Sequence, residues 1–186
     1  MGVVTRSRGA ARRLVLGLAA GLGLALPAAG AAESLEWAVK AAYLAKFGFY
    51  VEWPAEAFEG PGGTLNLCVV GDDPFGSLID DAVAGQKVGG RAISVRRLKN
   101  LARGSGCHIA YVGSEPRPPA VVENVRGSPM LVVTDASSAT PGVIQFVLKD
   151  NRVRFSIDDE AAAQNGINVS SKLLSLAVSV KPRGRR

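Results

Sequence analysis

LNLCVVGDDPFG, Leu65 to Gly76, is the stretch whose reading decides the fold. Its first six residues form an apolar run of strand length, without the spacing of an amphipathic helix. Gly71-Asp72-Asp73 then breaks the run; Asp73 suits a helix N-cap and Pro74 a first helical turn. A buried-type strand leading through a short loop into a helix is the repeating unit of a parallel sheet. The helix is expected to reach about Ala84, with Gly85 just past its end.

Downstream the pattern repeats. ISVRRL (Ile93 to Leu98) reads as a strand whose Arg96 and Arg97 suit a sheet edge. CHIAYV (Cys107 to Val112) and MLVVT (Met130 to Thr134) read as buried strands, with a crossover helix between them over Pro116 to Val125. VIQFVL (Val143 to Leu148), Lys149-Asp150-Asn151 and RVRFSI (Arg152 to Ile157) have the signature of a hairpin with one buried and one wet face. A short helix near Glu160 to Asn165, stopped by Gly166, precedes a last helix from Ser171 to about Val180. Upstream, SLEWAVKAAYLAKFGFYVEWP (Ser34 to Pro54) reads as one amphipathic helix, capped by Ser34, stopped by Pro54 and supported by the Glu36–Lys40 pair. Val39, Tyr43, Phe47 and Tyr50 share a face, which suits packing against the domain's own core. The expected fold is therefore α/β. It has a mainly parallel sheet with helices on both faces, a closing antiparallel hairpin and an N-terminal amphipathic helix.

At 186 residues the chain suits a single domain, and 47% hydrophobic residues suffice for a core. Its net charge of +6 sits at the ends. Setting aside Arg6, Arg8, Arg12, Arg13, Lys181, Arg183, Arg185 and Arg186 leaves 14 bases against 16 acids, which excludes a phosphate-tracking nucleic-acid surface. The N-terminal arginines precede an apolar run, Leu14 to Leu26, and the small residues Pro27 to Ala31. This is the layout of a secretory signal peptide over residues 1–32, cleaved near Ala31 or Ala32. What remains is an exported domain over 33–180, periplasmic in a two-membrane bacterium, and a basic tail over 181–186 expected to fray.

Little in this chain carries reactive chemistry. Cys68 and Cys107 form an even pair in an oxidising compartment, read as a disulfide with two buried thiols as the alternative; neither lies in a C-x-x-C motif. The single histidine, His108, falls at the start of a strand, the wrong end for a doubly wound active site, and reads as structural. Without a second histidine the usual nucleophile–base pairs and zinc clusters are missing. No catalytic residue, metal ligand or cofactor is expected. Asp72, Asp73, Phe75 and Asp135 fall at the carboxyl ends of strands and are the candidates for a small-molecule cleft. Phe47, Phe49, Tyr50 and Trp53, at the end of the first helix, are the candidates for a partner surface, because aromatic side chains anchor interfaces. Ser170-Ser171-Lys172 reads as a helix cap.

Taken in order, FGFYVEWP (Phe47 to Pro54), LCVVGDDPFG (Leu67 to Gly76), GRAISVRRL (Gly90 to Leu98), CHIAYV, VIQFVLKDNRVRFSID (Val143 to Asp158) and INVSSKLLSLA (Ile167 to Ala177) resemble the YfiR-like family of exported bacterial proteins. The resemblance implies a compact α/β domain that tends to self-associate, here into a homodimer. It also implies a non-catalytic periplasmic regulator of an inner-membrane signalling protein, a diguanylate cyclase whose cyclic di-GMP synthesis it restrains. Cys68 and Cys107 match positions that carry a disulfide in the family. The stretch Asp135 to Gly142 is shorter and less Gly/Phe-rich than in many members, and a second cysteine pair found in some is absent.

Overall fold

The computed structural model describes residues 1–2, 29–60, 62–113 and 120–184. The signal peptide read over 1–32 lies almost wholly outside the described residues, as do the first part of the crossover segment and Arg185 and Arg186. In chain order the elements are α1 (Ala29–Phe47), β1 (Val51–Glu52), β2 (Leu65–Val70), α2 (Ser77–Val83), β3 (Lys87–Val88), β4 (Arg91–Leu98), β5 (Ile109–Val112) and α3 (Ala120–Asn124). There follow β6 (Leu131–Asp135), β7 (Ile144–Lys149), β8 (Arg152–Asp158), α4 (Asp159–Gln164), β9 (Asn168–Val169), α5 (Ser171–Leu176) and β10 (Ser179–Lys181). Among the described residues no helix is long and apolar enough to cross a membrane.

The architecture is the α/β fold read from the sequence. Eight strands form one sheet in the order β10-β8-β7-β6-β5-β2-β4-β3. Its interior is parallel: β2 lies between β4 and β5, and β6 and β7 follow outward from β5. The chain thus reverses direction across the sheet at β2, the doubly wound pattern. The β7–β8 pair is the antiparallel hairpin, and its turn places Asp150 and Asn151 at φ 51° and 55°, the left-handed pair that a two-residue hairpin turn needs. A separate antiparallel pair joins β1 to β9.

Alternation along the strands divides the interior into two cores. Leu65, Leu67, Val69, Ile109, Tyr111, Leu131, Val133, Ile144, Phe146, Phe155 and Ile157 form the larger one, covered by α1 and α2. Cys68, Val70, Ala110, Val112 and Val132 face the opposite way, under α3 and Leu101. Cys68 and Cys107 are bonded there, with Cα atoms 5.9 Å apart.

Local boundaries differ from the sequence reading wherever a distant partner decides them. α1 starts at Ala29, so Ser34 lies inside it rather than capping it, and it stops at Phe47, short of Pro54. Gly48 follows it, where the backbone runs close to the sheet: a Cβ there would lie 3.1 Å from Val88 Cγ2. Val51 then pairs with Val169, which makes residues 51–52 a strand. Asp73 accepts hydrogen bonds from the Phe75 and Gly76 amides, a turn that precedes α2 instead of capping it. The last helix stops at Leu176, because residues 179–181 pair with β8 in parallel. Lys181 and Arg183, read as part of the basic tail, are paired here: Lys181 lies 2.7 Å from Glu160 and 3.1 Å from Asp158, and Arg183 lies 2.9 Å from Asp159.

Candidate functional site

At the amino end of the sheet the chain leaves α1, passes through Phe49 and Tyr50 into β1, and folds Trp53 to Gly60 over the start of β5. The aromatic candidates separate here by exposure. Phe47 is 1% exposed, stacked on Phe146 (ring centroids 5.9 Å apart) and edge-on to Phe155 (5.3 Å). It faces inward because it continues the Val39–Tyr43 stripe, so it is a core residue and offers no surface. Phe49 is 45% exposed, with the Lys46 ammonium 5.2 Å from its ring. Tyr50 is half-buried, with the Lys172 ammonium 5.7 Å away. Trp53 is half-buried, and its indole Nε1–H donates to the His108 carbonyl at 3.2 Å. Phe49, Tyr50 and Trp53 therefore share one end of the molecule, with cations beside two of them.

His108 underlies this end. It is 3% exposed, and its Nδ1 accepts the Asn66 amide at 3.0 Å. Phe58 stacks on the imidazole at 4.4 Å, and the Arg91 guanidinium covers Phe58 at 4.0 Å. Arg91 Nη1 also donates to the Gly60 and Gly63 carbonyls at 3.0 Å each. Burial, with Arg91 nearby, holds the imidazole below its usual 6.5, so the ring is neutral. The sequence places His108 at a strand start, but Phe58 and Arg91 carry no local signal of their roles, because they reach the ring from separate segments.

The carboxyl end of the sheet is filled by α1. Asp135 is 7% exposed; Lys40 Nζ lies 2.8 Å from its Oδ1, and the Tyr111 hydroxyl donates to its Oδ2. Lys40 also pairs with Glu36 at 2.7 Å and lies 4.2 Å from the Trp37 ring centroid. Burial, followed by the neighbouring Asp135 carboxylate, pushes the Tyr111 hydroxyl far above its ordinary pKa, so it stays a donor. Phe75 is 2% exposed, wedged edge-on between Trp37 (5.5 Å) and Tyr111 (4.8 Å). Asp73 is bound to Arg97 at 2.6 Å, while Asp72 is exposed. The four candidates for a cleft are thus placed apart: Phe75 and Asp135 lie beneath α1, Asp73 is tied to β4, and Asp72 faces solvent. Ser170 Oγ accepts the Leu173 amide, the capping role read for it.

One groove was not legible from the sequence. It has a volume of about 680 Å³ and lies between the first turns of α1 and the tip of the β7–β8 hairpin. Leu35, Val39, Tyr43, Leu148 and Val153 form its apolar floor, with Glu33 and Glu36 on one bank and Arg152 and Arg154 on the other. Among the described residues no cluster of His, Cys, Asp and Glu is gathered to hold a metal ion.

Comparison with known protein families finds a match over residues 37–178 to the family model described as YfiR/HmsC-like. No curated protein matches the chain.

Proposed function

The chain belongs to the YfiR/HmsC-like family, and from that premise we propose that it is a non-catalytic periplasmic regulator that binds the periplasmic part of an inner-membrane signalling protein. Family membership supports a role in cyclic di-GMP signalling in general. The finer reading is repression of a diguanylate cyclase by a homodimer of the exported domain, residues 33–180. Such a regulator works by binding one conformation of its partner more tightly than another and shifting the population between them.

The observation that carries this reading is the exposed Phe49, 45% accessible at the end of α1 beside Tyr50 and Trp53. An aromatic ring exposed just past the end of α1, with the Lys46 ammonium beside it, is the kind of anchor around which interfaces form. The polar groups at the opposite end of the sheet are by contrast largely engaged with one another, which argues against a reactive centre there. The test is capture of the detergent-solubilised membrane partner by immobilised wild-type protein and by Phe49→Ala. Substitution at this exposed ring is expected to reduce capture at least tenfold with unchanged far-UV circular dichroism. Undiminished capture would remove this face from the reading.

A second reading, a small-molecule binding module, is favoured at the α1–hairpin groove rather than at Asp72, Asp73, Phe75 and Asp135. Its volume of about 680 Å³ falls within the range of ligand pockets. Thermal-shift screening separates the two readings, since a ligand that binds the folded state raises its melting temperature.

A further inference from the structure

The rows of side chains that build the larger core run on past the place where it closes. On the hairpin, Phe146 lies opposite Phe155 and Leu148 opposite Val153, and cross-strand partners share a face. Phe146, Phe155 and Val153 are buried, but Leu148 is 62% exposed. β6 accompanies β7 only as far as Phe146, and β10 accompanies β8 only from Ser156, so the tip of the hairpin stands clear of the sheet. On α1, Leu35, Val39, Tyr43 and Phe47 recur every fourth residue; Phe47 is buried, whereas Leu35 is 65% exposed. Apart from Met1, these two leucines are the most exposed large apolar side chains among the described residues. Leu35 lines the α1 side of the groove described above and Leu148 its hairpin side.

Three charges rim this groove. Glu33 on the α1 bank, and Arg152 and Arg154 along the uncovered part of β8, make no ion pair among the described residues. Glu36 is already held by Lys40. A small-molecule pocket is a recess that encloses most of its ligand, whereas two leucines stand out of this open trough. Opposite charge on the two banks selects the occupant. A twofold axis laid along the trough turns the acidic bank of each copy onto the basic bank of the other, and the leucines of each copy onto the other's apolar floor. Paired subunits related in this way, each using the same patch, are the commonest oligomers.

We propose that the trough between α1 and the β7–β8 hairpin is the interface of a homodimer of this chain, sealed by Leu35 and Leu148 and keyed by Glu33 against Arg152 and Arg154. The proposal rests on the homodimer reading above and gives it a face. Leu35 and Phe47 are about 18 Å apart along α1 at the helical rise. Phe49 therefore stays outside the interface, and the dimer presents two aromatic faces.

The test is the molar mass of the mature protein, by light scattering and sedimentation equilibrium from micromolar concentration upward. A dimer is expected, and Leu148→Asp should weaken it at least about tenfold, the loss of a central apolar anchor. Glu33→Arg leaves both banks basic, and Arg152→Glu with Arg154→Glu leaves both acidic. Each of these variants should also dimerise at least about tenfold more weakly, because like charges then face each other, with unchanged far-UV circular dichroism. Mixed in equal amounts, the basic and acidic variants should form a heterodimer that neither forms alone, a recovery that damage to the fold cannot produce. A monomeric wild type would overturn this interface and the homodimer reading together. A dimer that ignores all of these substitutions would keep the homodimer and overturn this face. A mixture that stays monomeric would overturn the twofold arrangement, and a small molecule that stabilises a monomeric wild type would give the trough to the second reading. Dimerisation as expected, with undiminished partner capture by Phe49→Ala, would remove the aromatic face and leave the dimer standing.

Discussion

Lys40 turns the carboxyl end of the sheet from a cleft into a contact. It is 5% exposed, and its ammonium is shared between Asp135 and Glu36. A buried ion pair contributes little net stability over a well-packed apolar pair, yet removal of one member strands the other and costs about 3–5 kcal/mol. Lys40→Met is therefore expected to lose about 3 kcal/mol in urea denaturation, because Asp135 is left with the Tyr111 hydroxyl as its side-chain donor. Asp135→Asn should lose somewhat less, since Lys40 keeps Glu36. The double variant should recover at least about 1 kcal/mol relative to the sum of the two singles, the coupling of groups in direct contact. Additive losses would mean that the pair is spent on solvent rather than on each other. Each of these acids is visible in the sequence, but Lys40 lies nearly a hundred residues away, and nothing local assigns it to Asp135.

At the scale of the element, α1 shows where sequence reading holds and where it stops. Its inner face follows from the helical period alone: Tyr43 and Phe47 both reach Phe146 and Phe155. Its end does not follow, because GFYVEW carries enough apolar residues to prolong the period, and only the pairing of Val51 with Val169 makes residues 51–52 a strand. The same holds for β10, whose residues read as helix until β8 is placed beside them. The strands of the sheet were legible because burial on both faces leaves continuous apolar runs, whereas edges and short pairs depend on partners far along the chain. The division of α1's aromatics has a direct check. Phe47→Ala should cost about 3–5 kcal/mol, the range for emptying a buried aromatic site. Phe49→Ala, two positions on, should change stability by less than about 0.5 kcal/mol, as exposed positions do. Equal losses at the two positions would contradict the orientation of the helix end.

For the molecule as a whole, the sheet separates a large core from a small one, and the small one is stapled. The Cys68–Cys107 bond closes a separation of 39 residues and ties β2 to the entry of β5. By the chain-entropy estimate this contributes about 4 kcal/mol, so reduction should lower the urea midpoint while leaving the far-UV spectrum of the folded state in place. Intact mass before and after reduction should differ by two hydrogen atoms. Acid acts on the same whole through His108, and the sign follows from its burial. The folded state holds the imidazole below 6.5, so above that pH the ring is neutral in both folded and unfolded chains and stability is flat. Below it the unfolded chain takes up the proton first, and stability falls until the folded-state pKa is passed. A second, smaller decline belongs below 3.8, where Asp80 loses the charge that its hydrogen bond to Arg97 favours, at a site too exposed to contribute much. Urea midpoints measured across this range should therefore show an upper step that His108→Asn removes and a lower one that it leaves. A wild-type stability that rises on acidification from neutral pH would mean that the folded protein prefers the charged ring, and that the burial of His108 beneath Phe58 and Arg91 does not set its protonation.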